Sequence, residues 1–300
     1  MRRQGLVFGV TAYLLWGTFP LYFPLLEPAG TLEILACRVL FTAVTVAVLL
    51  AVTGRIRGTL VLGRTAVRRL SIAAVLIAVN WGTYIYGVNH HHVVETSLGY
   101  FINPLVTVAL GVLVLGERLR RAQWAALSLG AVAVAVITVG YGRPPLLALV
   151  LAVTFGGYGL AKNRVGVPAA AGLLVEAGVL VPAAAVVMLV LSTRHTETFA
   201  SRTPAHALLL ASSGVVTAIP LLFFAGAASR LPLSTLGLLQ YLAPVLQLAV
   251  GVLVRHEPLN GSRLAGFVLV WIALVVLSVD GLRHRASRPV RPLDEPVPAG

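Results

Sequence analysis

Long apolar stretches follow one another along almost the whole chain, separated by short polar connections. Ten of them reach or approach the roughly 20 residues that a helix needs to cross a bilayer core of about 30 Å. They are continuously apolar, without the alternation expected of a β-barrel strand. The pattern therefore predicts an all-α integral membrane protein with ten transmembrane helices, at 5–26, 31–53, 70–89, 96–115, 121–140, 144–162, 170–191, 206–227, 232–254 and 262–280.

The hydrophobic pattern repeats at a shift of 140 residues. The segment 109–119 (ALGVLVLGERL) aligns without a gap on 249–259 (AVGVLVRHEPL), and Pro104 falls on Pro244. Because each copy holds five helices, a copy that starts on one side of the membrane ends on the other. The second copy is therefore expected to be inserted upside down, which makes the fold two inverted-topology five-helix repeats.

This repeat divides the chain into three parts. The first unit is predicted at 1–140 and the second at 141–280. The remaining segment, 281–300, combines arginines with prolines and is predicted to be a disordered cytoplasmic tail.

Composition and charge agree with a membrane location. Hydrophobic residues make up 58% of the chain and charged residues only 11%, against about 25% charged residues in soluble domains. With the amino terminus inside, 17 of the 23 Lys and Arg residues fall in predicted cytoplasmic segments, and five fall in external loops. This asymmetry predicts that both termini are cytoplasmic. The net charge of +13 then reflects loops that contact anionic lipid, so nucleic acid is not a predicted partner.

Inverted repeats are typical of secondary transporters, which bind substrate between two similar halves near the membrane midplane. In helix 4, Tyr100, Asn103 and Thr107 recur at spacings of three and four, so they share one face. The shift of 140 places Gln240 and Gln247 on the corresponding face of helix 9. These two polar stripes are predicted to line a substrate pathway, and ordinary packing between polar helix faces is the alternative.

Each of these two helices also carries a proline, Pro104 and Pro244, at which we predict a helix break. A proline frees a backbone carbonyl, which at membrane depth requires compensation by protein or by a polar cavity. Further pathway candidates are Tyr13 and Trp16 in helix 1. Helix 3 contributes a one-faced stripe with the candidates Asn80 and Tyr84. Aromatic anchoring at the membrane interface is the alternative for the Tyr and Trp residues.

Ionisable residues inside a membrane span are costly and are functional candidates by default. Arg38 lies well inside helix 2 and is a candidate for binding or gating, with Glu33 nearer the end of the same helix. Glu176 lies at a comparable depth in helix 7. A carboxylate enclosed in a dry cavity would be suited to carry a coupling proton, so Glu33 and Glu176 are the coupling candidates. Structural contacts and snorkelling to the interface are the alternatives.

Several blocks of this sequence resemble the EamA branch of the drug/metabolite transporter superfamily. The resemblance extends over nearly all of the first 280 residues and is most specific at 80–106. It implies two EamA repeats, a bacterial inner-membrane location and a permease role for drugs or metabolites. The blocks are YLLWGTFPLYF at 13–23, EILACRV at 33–39, NWGTYIYGVNHHHVVETSLGYFINPLV at 80–106, LGERLRR at 115–121, YGLAKNRV at 158–165 and STLGLLQYLAPVLQL at 234–248.

The sequence thus predicts a secondary transporter of small drugs or metabolites such as amino acids, with proton coupling as a further hypothesis. Its expected partners are membrane lipid and a small-molecule substrate, with a homodimer as the candidate assembly. The pattern predicts no cofactor, no metal site and no enzymatic activity, because consecutive histidines at 90–92 point in different directions and no catalytic set is recognisable. The alternatives are a flippase of a lipid-linked substrate and a membrane sensor or assembly factor that transports nothing.

Overall fold

The computed structural model describes residues 2–56, 62–116, 118–162 and 165–286. Within these ranges the regular structure is entirely helical, with no strand. Ten helical spans follow one another along the chain: α1 Arg3–Leu26, α2 Thr31–Val52, α3 Arg64–Asn89, α4 Val93–Leu115, α5 Arg121–Tyr141, α6 Leu146–Lys162, α7 Ala169–Thr193, α8 Pro204–Ala228, α9 Thr235–Val254 and α10 Gly261–Ala286.

In the part of the chain that the structure describes, nine of these spans are long and apolar enough to cross a membrane. The tenth, α6, has 17 residues and extends about 25 Å at a rise of 1.5 Å per residue. It is apolar like the others, so it is a short span rather than a different kind of element. The prediction of an all-helical membrane protein is confirmed.

The first span, α1, is assembled from three pieces. A regular helix, Arg2–Gly17, is followed by the short helix Phe19–Tyr22 and by a 3-10 turn at Phe23–Leu26. Each of the two short pieces has a proline in its first turn, Pro20 and Pro24. Proline is tolerated there because the first N–H groups of a helix have no partner within it.

The predicted break at Pro104 is not observed, because α4 continues as one helix across this residue. A proline removes one backbone hydrogen bond, and neighbouring turns can carry the helix past it. The corresponding span α9 is divided, with Leu233–Leu239 ending before Pro244 and Leu242–Ala249 containing it. A π-helical turn, Val250–Val254, completes α9.

Two spans extend beyond the apolar stretches from which they were predicted. Helix α3 begins at Arg64 instead of residue 70, and α10 continues to Ala286. The segment 281–286 is therefore helical, and 287–300 lies outside the described residues. A helix satisfies its backbone groups internally, so it can leave the apolar core while arginine side chains extend towards water.

The packing partners of the helices exchange under a shift of five helices. Helix α1 packs on α8 and α9, whereas α6 packs on α3 and α4. Helix α2 packs on α8, whereas α7 packs on α3. The pairs α2 with α7, α4 with α9, and α5 with α10 pack on each other. The two halves therefore interlock, and neither has its own separate core.

Two glycines allow helices to approach closely. A Cβ atom at Gly99 in α4 would lie 2.7 Å from the carbonyl oxygen of Ala148 in α6. A Cβ atom at Gly214 in α8 would collide with the backbone carbonyl group of Phe41 in α2. Small residues at such contacts are typical of helices in membranes, where association depends on close packing.

The helices run back and forth between two ends of the bundle. The Glu33 end holds the connecting segments 27–30, 90–92, 142–145, 194–203 and 255–260. The Lys162 end holds the first described residues, the carboxyl end of α10, and the segments 118–120, 165–168 and 229–232. Helix α4 thus starts at the Glu33 end, and α9 starts at the Lys162 end.

Candidate functional site

Arg38 is buried inside the bundle, with 4% of its surface exposed. Its Nε atom donates a hydrogen bond to Thr217 Oγ1 in α8 at 2.9 Å. The guanidinium carbon lies 4.1 Å from the ring centroid of Trp81 and 5.5 Å from those of Phe19 and Phe23. Three aromatic rings and one hydroxyl group therefore surround a permanent positive charge.

The nearest carboxylate along the helix, Glu33, does not pair with Arg38. Its Oε1 atom accepts hydrogen bonds from the backbone amides of Thr198 at 2.6 Å and Phe199 at 2.8 Å. Its Oε2 atom accepts from the Thr198 hydroxyl group at 3.0 Å. Glu33 therefore fastens the start of α2 to the segment that joins α7 and α8.

Asn80 in α3 is fully buried and connects three helices. Its Nδ2 atom donates to the carbonyl oxygen of Leu151 at 3.0 Å and to Thr154 Oγ1 at 3.1 Å, both in α6. Its Oδ1 atom accepts from the hydroxyl group of Tyr100 in α4 at 3.2 Å. Both ends of the amide are thus used, which holds Tyr100 against α3.

A row of five aromatic rings, which we call the aromatic seam, runs through the bundle from beside Arg38. Successive centroids are 5.9, 5.6, 6.0 and 6.0 Å apart, within the range for favourable edge-to-face or offset contacts. The rings come from four spans, α1, α3, α4 and α6, and only Tyr84 and Tyr100 were candidates from the sequence. In order, the members are Phe23, Tyr84, Tyr100, Phe155 and Tyr158.

The aromatic seam ends at an ion pair near the Lys162 end. The Lys162 ammonium group lies 2.7 Å from Glu176 Oε1 and donates to the Tyr158 hydroxyl group at 2.9 Å. That hydroxyl group donates to Glu176 Oε2 at 3.2 Å. Glu176 is 1% exposed, whereas the Lys162 side chain is 29% exposed. The carboxylate is therefore buried, and its cationic partner reaches towards the surface.

Two helix 1 candidates form a second aromatic group beside α8 and α9. The rings of Tyr13 and Trp16 are 5.4 Å apart, and each contacts Phe224. Gln247 Nε2 donates to the carbonyl oxygen of Trp16 at 3.2 Å. The structure thus brings Tyr13, Trp16 and Gln247 together.

The polar stripe of α4 is divided between two environments. Tyr100 belongs to the aromatic seam, whereas Asn103 and Thr107 line a cavity of about 310 Å³ together with Gln240. Tyr241 in α9 and Ser278 in α10 complete its polar lining. The two prolines differ in position, since Pro104 is one of the lining residues and Pro244 is buried in α9. The cavity lies in the half of the bundle nearer the Lys162 end.

At the opposite end, carboxylates close the bundle. Glu257, which follows α9, accepts from the backbone amides of Val93 at 2.6 Å and Val94 at 2.7 Å, the first two residues of α4. Glu95 accepts from the backbone amide of Leu147 in α6 at 3.0 Å. Glu117, the sequence counterpart of Glu257, lies outside the described residues. At the Glu33 end, hydrogen bonds to carboxylates therefore link helices of the two halves.

Sequence reasoning missed several contributors. Lys162, the last residue of predicted helix 6, is not among the sequence candidates, although Tyr158 and Lys162 share a helix face at a spacing of four. Trp81 is adjacent to the candidate Asn80 but points to Arg38. Thr217 carries no sequence signal, because one threonine in an apolar helix is common.

An all-helical bundle with ten apolar spans and a buried polar interior defines a multi-pass membrane protein. Residues 3–139 and 143–279 each match the EamA-like transporter family. The chain belongs to this family, and the resemblance expected from its sequence blocks is confirmed.

Similar proteins and structures cover nearly the whole chain. Protein RarD of Streptomyces exfoliatus is 52% identical over 295 residues, which cover 96% of this chain and 92% of that protein. An uncharacterized transporter of Vibrio cholerae is 41% identical over 95% of this chain and 96% of its own length. A solved crystal structure, 21% identical, covers 94% of this chain and 100% of its own with a TM-score of 0.61. That structure supports the fold alone.

Proposed function

We propose that this chain is a secondary transporter that moves small amphipathic drugs or metabolites, such as amino acids, across the bacterial inner membrane. Membership of the EamA-like transporter family supports transport as the general activity. The distribution of arginines supports a topology in which the Lys162 end and both termini are cytoplasmic. The Glu33 end then faces outside.

The two five-helix units are proposed to be inverted copies. The exchange of packing partners under a shift of five helices supports this arrangement. So do the two matches of the family, which fall on the two halves of the chain. Two similar halves of opposite orientation can adopt inward-open and outward-open arrangements of comparable energy.

The observation that carries the proposal is the contrast between the two ends. Glu33 and Glu257 tie helices together at the Glu33 end. The cavity lined by Asn103, Thr107 and Gln240 lies nearer the Lys162 end. A bundle closed at one end with a polar cavity towards the other is the arrangement expected of an inward-facing transporter. In alternating access, the cavity would close while the carboxylate ties at the Glu33 end separate.

Coupling to protons is assigned to Glu176. This carboxylate is buried, so its charge depends on the ammonium group of Lys162 and on the hydroxyl group of Tyr158. Lys162 is the single lysine of the chain and is partly exposed, so it can leave the pair more easily than Glu176 can reach water. Movement of Lys162 would leave a buried carboxylate that binds a proton to remain uncharged.

Solute uptake into liposomes tests the proposal. Purified protein would be reconstituted and offered chloramphenicol, which is neutral, and a mixed panel of labelled amino acids, with and without a pH gradient. Empty liposomes and the variant Arg194→Gln, which changes an exposed residue at the end of α7, are the controls. We expect uptake by the wild type and by Arg194→Gln. The double variant Asn103→Ala, Gln240→Ala should reduce it about tenfold.

Two results would contradict the proposal in different ways. Failure of folded wild-type protein to move any solute of the panel would argue against transport. Uptake by the double variant equal to that of the wild type would still support transport, but it would argue against the cavity as part of the pathway. A lipid-linked compound moved in place of all soluble solutes would favour the flippase alternative.

A further inference from the structure

Arg38 carries a positive charge that no described carboxylate balances. A buried charge without a partner is expensive, and in proteins such groups are normally paired. The buried acidic side chains of the described chain already have hydrogen-bond or ion-pair partners elsewhere: Glu33 with the 198–199 segment, Glu176 with Lys162, Glu257 with the start of α4, and Asp280 with Arg120. The structure therefore holds an excess cation at its centre.

The donor groups of this region are only partly used. Arg38 donates from Nε to Thr217, whereas its Nη1 atom is buried and has no hydrogen-bond partner within the described ranges. Tyr84 is 3% exposed, and its hydroxyl group likewise has no partner among the residues that the structure describes. The Phe23 ring contacts both residues, 5.5 Å from the Arg38 guanidinium carbon and 5.9 Å from the Tyr84 centroid. Two unused donors thus share one aromatic neighbour.

The way in which Arg38 is held leaves its hydrogen-bonding edge available. The guanidinium carbon lies over the Trp81 ring, 4.1 Å from its centroid, so this contact is a cation–π interaction. A guanidinium group donates its hydrogen bonds in its own plane, and two parallel N–H groups match the two oxygens of a carboxylate. The Trp81 ring therefore supplies no hydrogen-bond acceptor, and the buried Nη1 atom has no hydrogen-bond partner among the described residues.

We propose that Arg38 and Tyr84 bind the carboxylate group of the transported solute, and that the aromatic seam holds its apolar or aromatic body. The solute class is a small monocarboxylate with a hydrophobic side. A single arginine supplies one positive charge and the surrounding side chains are aromatic, which suits a monoanion better than a doubly charged phosphate. This inference rests on the proposed transport function, of which it specifies the substrate.

The seam offers less to an ammonium group than to a carboxylate. Asn80 Oδ1, an acceptor beside Tyr100, already receives the Tyr100 hydroxyl hydrogen bond. Asn80 Nδ2 is likewise committed to α6. A zwitterionic amino acid would therefore bring a second charge that this part of the structure does not compensate. Simple aromatic carboxylates are expected to bind better than the corresponding amino acids.

Binding of matched probes to the purified full chain tests this assignment. The probes are 3-phenylpropionate, its neutral amide 3-phenylpropanamide, the cation phenethylamine, and phenylalanine. Binding would be followed by tryptophan fluorescence, since Trp81 contacts Arg38, and by the melting temperature. We expect the carboxylate to bind at least about tenfold more tightly than the amide, because a charge-assisted pair is lost. Phenylalanine should fall between them, and phenethylamine should not bind measurably.

Variants separate recognition from folding. Tyr84→Phe keeps the ring and removes a hydroxyl group that bonds nothing in the described structure, so folding should be unchanged. It should weaken binding of 3-phenylpropionate about three- to tenfold and leave the amide unaffected. Arg38→Gln should abolish the preference for the acid, and Arg38→Lys should retain part of it. Arg194→Gln removes an exposed arginine and should bind like the wild type.

Specific results would overturn the inference. Equal affinity of the wild type for the acid and the amide would do so, as would an acid preference that survives Arg38→Gln. If Arg38→Gln does not fold, an unchanged acid preference in both Tyr84→Phe and Arg38→Lys would count against it. Liposome uptake distinguishes the two proposals. Uptake of neutral and anionic probes at equal rates would support transport and refute this inference. Tight binding of the acid without uptake of any solute would support this inference and argue against transport.

Discussion

The Glu257 carboxylate holds the first turn of α4, where its Oε2 atom accepts a hydrogen bond from the Val94 backbone amide at 2.7 Å. Its Oε1 atom accepts from the neighbouring amide of Val93. The first N–H groups of a helix have no partner within it, and the helix dipole favours a negative charge there. One side chain after α9 therefore completes α4, a helix of the other half of the chain, and closes the Glu33 end.

We expect the Glu33 end of the bundle to open more often in the variant Glu257→Gln than in the wild type. The amide side chain presents an NH2 group to one of two backbone donors, so one charge-assisted hydrogen bond is lost and the other is weakened. Cys37, the only cysteine of the chain, is 1% exposed and belongs to the same apolar cluster as Val93. Its reaction with a maleimide should accelerate at least about tenfold. Glu197→Gln, a change at a half-buried position in the 194–203 segment, should leave the rate unchanged, and equal rates in both variants would contradict the closing role of Glu257.

Asn80→Ala should lower the free energy of unfolding by about 1–3 kcal/mol, because it removes the connection between α3, α4 and α6 and leaves the Tyr100 hydroxyl group buried without its acceptor. Tyr100→Phe removes one hydrogen bond and keeps the ring in the aromatic seam, so its effect should be smaller, about 0.5–1.5 kcal/mol. Thermal unfolding in one detergent would give the comparison. A larger loss in Tyr100→Phe would show that the ring environment, and not the amide, stabilises this region.

Gly214→Ala should destabilise the contact between α2 and α8, because its Cβ atom would collide with the Phe41 carbonyl group. Forcing an extra methyl group into a packed interface costs about 1–3 kcal/mol. The matched control is Gly178→Ala in α7, where an added Cβ atom has nothing within 4 Å. Alanine has the higher helix propensity, so this control should be neutral or slightly stabilising. Similar melting temperatures in the two variants would contradict the close approach of α2 and α8.

Glu176→Gln should abolish stimulation of uptake by a pH gradient while retaining exchange of solute between the two sides. The amide cannot carry the proton that we assign to Glu176, and Lys162 loses its 2.7 Å partner. Arg120→Gln is the control, because Arg120 pairs with Asp280 between α5 and α10 at the same end, and its side chain is 41% exposed. Arg120 does not belong to the Lys162–Glu176 pair, so gradient stimulation should persist in the folded variant. Stimulation that persists in Glu176→Gln would place the coupling group elsewhere.

The apolar pattern was sufficient to predict the helices. The core of a bilayer offers no water to the backbone N–H and C=O groups, so these groups must form hydrogen bonds with each other. Continuous apolar stretches of about 20 residues therefore specified both the class of fold and, within a few residues, where most spans lie. Helix ends were less predictable. Helix α3 begins six residues earlier than expected, at Arg64, because a helix does not need apolar side chains to continue into the interface.

Residue chemistry identified Arg38, Glu33 and Glu176 as candidates, but not their partners. Arg38 bonds Thr217, 179 positions away, and Gln247 bonds the carbonyl oxygen of Trp16, 231 positions away. Helical periodicity places residues on a common face and leaves open how that face is rotated towards neighbouring helices. For this reason the sequence could place Tyr100, Asn103 and Thr107 on one face of α4, whereas only tertiary packing decided that Tyr100 joins the aromatic seam while Asn103 lines a cavity.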